Sequence, residues 1–506
     1  MTVKLLLKNA NVITLNDNDD TVDWIAIDKG KVYAIGRGDE YPAANEVLDC
    51  KGATIIPGFC DSHVHGSLTG EALSSVELGE AETVQDVLDL MEERCKQARN
   101  GELVVGSNLS EERLAEKRLP KMDELDKISG NQKVILYHQT LHALVLNRKA
   151  FESSGLSPDI QGVELENGVP TGIISDDVPY AIAVNNLISD ISDELIKEYI
   201  RAVSEKAVSQ GITTIHALNG TDYRIDMPGW INFKDTVPLH IVNYWESLDV
   251  EEVQRYKQPR VGGCICLDGS RLQRTMALFE PYSDRPETRG ILYYKDEEVY
   301  KFVATAHRKD MQCAMHAAGD RAIDQYIYLL YKVIKEQGAK DLRHRIEHFS
   351  LPTDKHIEMA AELGLALSMQ PYFSSLWDEG DDSVYKQRFG KARASRVEPI
   401  ARIIKAGGKI CGGSDSPVTS MNPIAGIDAC INNPDPTRNV SLKEALKIFT
   451  INGAWAAHED DIRGSIEVGK IADLVVVDKD PYRNLKNIKD LKVMVTMING
   501  NIVYKA

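Results

Sequence analysis

The feature that most constrains this chain is a unit that recurs along its middle. An amphipathic helix is followed by a stop and then by a short β-rich run that ends in a polar side chain. Ser192 reads as the N-cap of one such helix. Leu195, Ile196, Tyr199, Ile200, Val203 and Ala207 follow at helical spacing, Gly211 ends it, and the run from Ile212 to His216 comes next. Val299, Phe302, Val303 and Ala306 lead in the same way to Cys313-Ala314-Met315-His316. Ile323, Tyr326, Leu330 and Val333 lead to Arg345-Ile346-Glu347-His348. Two further units end at Gln370 and at Asp415. In a (β/α)8 barrel the active site lies at the C-terminal ends of the strands. Chemistry-bearing residues at successive strand ends therefore predict an α/β chain with a TIM barrel, in preference to an open doubly wound sheet.

The two ends of the chain are β-rich. Leu5 to Leu15 and Ala26 to Ile35 read as strands, with Asp28-Lys29-Gly30 as a turn. Ala472–Val477, Val493–Met497 and Ile502–Tyr504 read as three more, the last two joined by the hairpin turn Asn499-Gly500. We expect residues 1–56 and 464–506 to form one small β domain, and 57–463 to form the barrel with an insertion at about 67–190. The insertion departs from the repeat. It shows one clear helix, Val84 to Ala98, and scattered strands, and is expected to act as a lid.

The sharpest chemical signal is Pro57-Gly58-Phe59-Cys60-Asp61-Ser62-His63-Val64-His65. Residues i and i+2 of a strand point to one face, so His63 and His65 can hold one ion together. Alone, such a pair is a weak signal. With His316, His348 and Asp415 at later strand ends it becomes a candidate centre for a divalent metal, Zn2+ first, with Fe2+ and Mn2+ also compatible.

Composition sets the partners. A net charge of −17 argues against nucleic acid, whose phosphates would be repelled. No window is long and apolar enough for a membrane span, and the first sixteen residues lack the pattern of a signal peptide. Eight cysteines without a Cys-x-x-Cys pair suit reduced thiols in a cytoplasmic protein. A small-molecule substrate is expected. The assembly is left open, dimers being common among soluble enzymes.

The chain resembles the amidohydrolase superfamily, and within it the amidohydrolase-3 (YtcJ-like) family. The resemblance rests on Pro57 through His65, His316-Ala317-Ala318-Gly319-Asp320, Arg345-Ile346-Glu347-His348 and Gly413-Ser414-Asp415-Ser416-Pro417. It is extended by Asp268-Gly269-Ser270 with Arg274-Thr275, by Pro281–Asp284, by His142 with Asn147, and by Gly464–Leu474. It implies a β-sandwich built from both termini, and hydrolysis of amide, formamide or related non-peptide C–N bonds by a metal-activated water. It implies that His63 and His65 hold one metal with Asp415, and that His316 and His348 hold a second or polarise the substrate. Asp415 is then the proton shuttle. Many relatives have a Lys that becomes a carboxylated bridge between two metals, and Cys264 stands in its place here. Cys264 is therefore either a thiolate ligand or a small buried side chain, and the metal count is one or two per chain. His142, Arg274, Gln370 and Tyr372 are candidate substrate contacts. Asp320 reads as a helix cap and His216 as a packing or supporting residue. Deamination, other hydrolysis on the same scaffold, or a regulatory protein that retained the fold are the competing readings.

Overall fold

The computed structural model describes residues 2–18, 20–139, 143–175, 177–188, 192–220, 227–378, 380 and 382–506. The chain divides into two compact units, residues 1–66, 204–221 and 230–506, and residues 67–203 with 222–229.

The first unit contains the barrel. Its eight strands, in chain order, are Phe59–Val64, Ile212–Asn219, His240–Trp245, Arg260–Val261, Gln312–Ala317, Arg345–His348, Ala366–Met369 and Lys409–Gly412. Neighbours in this order pair in parallel. The ring is closed beyond the last strand, where Asp415 N donates to His63 O at 2.8 Å and His65 N donates to Ser416 O at 3.0 Å. The predicted helix-to-strand units are present: Asp193–Ser209, Asp296–Arg308, Asp320–Gln337, Asp354–Glu362 and Ile400–Lys405 each precede a barrel strand. Each strand is four to eight residues long except the fourth, which ends at Val261. Gly262 follows with φ of +97°, where a Cβ would lie 2.1 Å from Ala314 O. Only glycine fits, and the chain turns there instead of extending.

Two smaller sheets take strands from both ends of the sequence. One orders Lys31–Gly36, Trp24–Asp28, Val3–Lys8 and Ala44–Asp49. The other orders Asn501–Lys505, Val493–Ile498, Leu474–Val477, Thr54–Pro57, Asn11–Ile13 and Thr21–Val22. Leu5, Leu7, Ile25 and Ile27 of the first sheet share one buried core with Val12, Ile55, Leu474, Val476 and Val495 of the second. This is the sandwich expected from the termini. The predicted strand Leu5–Leu15 is two strands, because Asn9 turns through φ of +56° and sends the chain from one sheet to the other.

The second unit is more ordered than its sequence suggests. It holds a six-stranded sheet in the order Val163–Glu166, Val169–Ser175, Ala143–Leu146, Lys133–His138, Leu103–Leu109 and Val76–Glu77. Two apolar clusters pack on it, one around Val87, Met91 and Leu136, the other around Ile135, Leu146 and Phe151. The sequence shows these only as scattered strands, because central ones such as Lys133–His138 and Ala143–Leu146 are nearly continuous buried runs without alternation. Among the described residues no helix is long and apolar enough to cross a membrane.

Candidate metal centre

The first barrel strand is buried along its whole length, and its last turn of chain carries His63 and His65 into the C-terminal mouth. Their Nε2 atoms each lie 3.1 Å from Asp415 Oδ1. Asp415 reaches them because the chain after the eighth strand turns through φ of +60° at this residue. His348 ends the sixth strand in the same kind of backbone, φ +71°. A left-handed conformation at a non-glycine residue costs about 1–3 kcal/mol and persists where the surroundings impose it. Two of the predicted ligands sit in it.

Ligand atoms of His63, His348 and Asp415 lie within 4.8 Å of one another, and so do those of His63, His65 and Cys264. Five of the six predicted metal residues are thereby brought together. The sixth, His316, stands beside His348 with ring centroids 4.4 Å apart, and joins neither group. Cys264 is buried, with Sγ 3.8 Å from His348 Nε2. It lies outside the barrel strands. The two glycines before it place it in a turn.

The cluster fits a cation by two tests. His63 Nε2 and Asp415 Oδ1 are fully buried and, although close, neither has an aligned hydrogen-bond partner. Buried polar atoms in that state are uncommon and call for a specific reason. The charge balance agrees. Burial opposes protonation of His63, yet the carboxylates of Asp415 and Glu347 push its pKa up to about 10. Burial also opposes ionisation of Asp415, and the two imidazoles close to it, His63 foremost, hold it well below the usual carboxylate range. Burial pushes the Cys264 thiol well above its ordinary value, so a thiolate there needs a cation beside it.

Residues 46–504 match the amidohydrolase family. The chain belongs to that family. This amidohydrolase is 26% identical to the Bacillus subtilis protein YtcJ, over 99% of this chain and 100% of that one. It is 26% identical to an N-substituted formamide deformylase of Arthrobacter pascens, over 99% of this chain and 98% of that one. Its fold is that of an uncharacterized metal-dependent hydrolase from Pyrococcus furiosus, with a TM-score of 0.78, 24% identity, and coverage of 94% of this chain and 99% of that one.

The amidohydrolase's centre is backed by a charged network that sequence reasoning did not single out. Glu347 Oε2 accepts from His63 Nδ1 at 2.7 Å. Its other oxygen accepts from Arg345 Nε, and Arg345 also donates to Ser62 O and Ser368 Oγ. Arg345 Nη1 donates to His216 Nδ1 at 2.7 Å, which gives His216 the supporting role expected of it. Arg345 and Glu347 are wholly buried. Burial works against the Glu347 carboxylate, but Arg345 and His63 hold its pKa below the ordinary value. The available signal was their spacing: two charges at i and i+2 on a barrel strand share one inward face. Glu246, one residue beyond the third strand, is buried with Oε1 3.6 Å from His65 Nδ1.

The other predicted contacts divide. His142 lies outside the described residues. Its companion Asn147 caps the helix Arg148–Ser153 through Ala150 N and bonds Ser129 Oγ and Gln132 O, a structural role. Arg274 is paired with Asp284 at 2.8 Å. Tyr372 opens the helix Tyr372–Trp377 after the seventh strand. Gln370 is buried and accepts from His348 Nδ1 at 2.7 Å, so its carbonyl faces a ligand imidazole. Asp320 is the first residue of its helix, not the cap, which is Gly319. Its carboxylate accepts from Phe279 N at 3.0 Å because the loop after the fourth barrel strand folds back onto it.

Arg271 was passed over in favour of Arg274. It is buried, donates to Glu398, Tyr385 and Ser350, and lies against the rings of Phe373 and Trp377. Phe373 in turn stacks on His348 with ring centroids 6.4 Å apart. Arg271 thus braces the wall of the mouth.

Proposed function

We propose that this amidohydrolase is a metal-dependent hydrolase of non-peptide C–N bonds, acting on an amide or formamide. The observation that carries the reading is the convergence of His63, His65, Cys264, His348 and Asp415 in two overlapping groups that share His63, where His63 Nε2 and Asp415 Oδ1 are buried without aligned hydrogen-bond partners. The residues that would hold the ion are His63, His65 and Asp415, completed by Cys264 or His348. Two imidazoles, a carboxylate and a thiol suit Zn2+. When bound, a divalent ion supplies Lewis acidity and brings the pKa of water from about 15.7 toward 7.

The chain's own residues supply the rest. Asp415, ionised at neutral pH, takes the proton of the attacking water and returns it to the leaving nitrogen. Glu347 and Arg345 hold His63 in one orientation while this happens. The formamide class enters through similarity to the deformylase of Arthrobacter pascens, which spans nearly the whole of both chains.

Elemental analysis tests the reading. Protein purified without chelators is expected to carry one or two equivalents of Zn, Fe or Mn per chain, and the His63→Ala/His65→Ala double variant none. The loaded protein is expected to release formate or another carboxylate from members of a formamide and amide panel. Failure to bind metal even after reconstitution would overturn the assignment and favour a regulatory protein. Ammonia release from a cyclic amidine, without cleavage of amides, would favour a deaminase.

Cys264 gives a second test. Cys264→Ala is expected to lower the metal count or loosen its retention about 10–100-fold, as loss of supporting groups at metal sites does. Cobalt-loaded wild type is expected to show a thiolate-to-metal charge-transfer band that the variant lacks. Unchanged stoichiometry and spectrum would make Cys264 a packing residue.

A further inference from the structure

Two imidazoles at the centre, those of His63 and His348, donate from Nδ1 to a buried acceptor. His63 Nδ1 donates to Glu347 at 2.7 Å, and His348 Nδ1 donates to Gln370 Oε1 at 2.7 Å. His316 Nδ1 lies 3.1 Å from Asp268 Oδ1, and His65 Nδ1 lies 3.6 Å from Glu246 Oε1. Of the two acceptors that are bonded, Glu347 is a carboxylate and Gln370 is neutral. An acceptor behind an imidazole decides which nitrogen carries the proton and makes the other a better donor to a metal. A carboxylate does this more strongly than an amide, since charge-assisted hydrogen bonds are about twice as strong as neutral ones.

The amide of Gln370 is fixed in direction. Its Nε2 donates to Ser368 O at 3.4 Å, which leaves Oε1 for His348. Its side chain is buried just beyond the seventh strand and is engaged in this contact. Phe373 closes the other side of the His348 ring. The ring therefore has one orientation, and Nε2 is the nitrogen left for a ligand, facing Cys264 Sγ.

We propose that Gln370 is a positioning residue that holds His348 with its proton on Nδ1 and its Nε2 toward the centre, and that the neutral amide makes His348 a weaker imidazole donor than His63, whose acceptor is the Glu347 carboxylate. This rests on the metal-dependent reading above. The consequence is a direction of change: giving His348 a carboxylate should tighten the centre, and removing its acceptor should loosen it.

The experiment titrates metal-free protein with Co2+ against a competing chelator, for wild type, Gln370→Glu and Gln370→Met. It also records the histidine nitrogen resonances of the metal-free proteins, with His348 assigned by substitution. Gln370→Met is expected to bind Co2+ about 10–100-fold more weakly, and Gln370→Glu more tightly than wild type. His348 is expected to carry its proton on Nδ1 in wild type and to lose that preference in Gln370→Met. Equal Co2+ affinity in all three proteins, or an unchanged His348 tautomer in Gln370→Met, would overturn the proposal. If Gln370→Met does not fold, the tightening in Gln370→Glu carries the test alone. Wild type that binds no Co2+ would defeat the metal-dependent reading, and the tautomer measurement would still decide the role of Gln370.

Discussion

Asp415→Asn is expected to lower kcat/KM by about 10²–10⁴-fold, the range that a general acid–base contributes. The reason is geometric. Asp415 Oδ1 faces both imidazoles of the His63/His65 pair at 3.1 Å, and the chain is turned through a left-handed residue to put it there. The amide of Asn keeps the shape and removes the basic oxygen. Because Asp415 is also a candidate ligand, turnover must be measured beside metal content, at saturating added metal. A variant that stays loaded and works at the parent rate would remove Asp415 from proton transfer. A variant that loses metal and activity together, with both restored at high metal, would make it a ligand only.

The second large effect is on stability. Arg345→Met is expected to cost about 3–5 kcal/mol, because it leaves the Glu347 carboxylate buried without its partner. It also strips donors from Ser62 O, Ser368 Oγ and His216. The double variant Arg345→Met/Glu347→Leu is expected to be more stable than the single one, since an apolar pair carries no uncompensated charge. It should bind metal poorly, because His63 then has no acceptor behind Nδ1. Denaturant unfolding of the two variants and the parent checks this. A loss below about 1 kcal/mol in the single variant would place the pair among interactions that contribute little.

Much of this architecture is legible in the chain because barrel chemistry is written at strand ends. His63, His65, His348 and Asp415 come from the ends of the first, sixth and eighth strands, and each lies in a short β-rich run or a motif that the sequence displays. What supports them is harder to read. Glu347 and Arg345 lie in a run quoted for its histidine, and nothing in a linear pattern says that a charge pair at i and i+2 will be wholly buried. Glu246 and Asp268 follow the third and fourth strands, and they meet His65 and His316 only when the ring closes. Gly262-Gly263 is the visible sign that the chain leaves the extended conformation before Cys264. The unit at 67–203 was underestimated for a different reason. Its central strands, Lys133–His138 and Ala143–Leu146, are nearly continuous buried runs and show no period-two alternation.

The sheet that joins both ends of the chain has a consequence for synthesis. The strand Thr54–Pro57 pairs with Leu474–Val477, register Pro57 to Leu474, and runs through Gly58 into the strand that presents His63. At ribosomal speeds of about 5–20 residues per second, that partner emerges roughly 20–80 s later. Through that interval the apolar segment Thr54-Ile55-Ile56-Pro57 has one edge unpaired, so the nascent chain must shield it, or be shielded, until its last tenth is made.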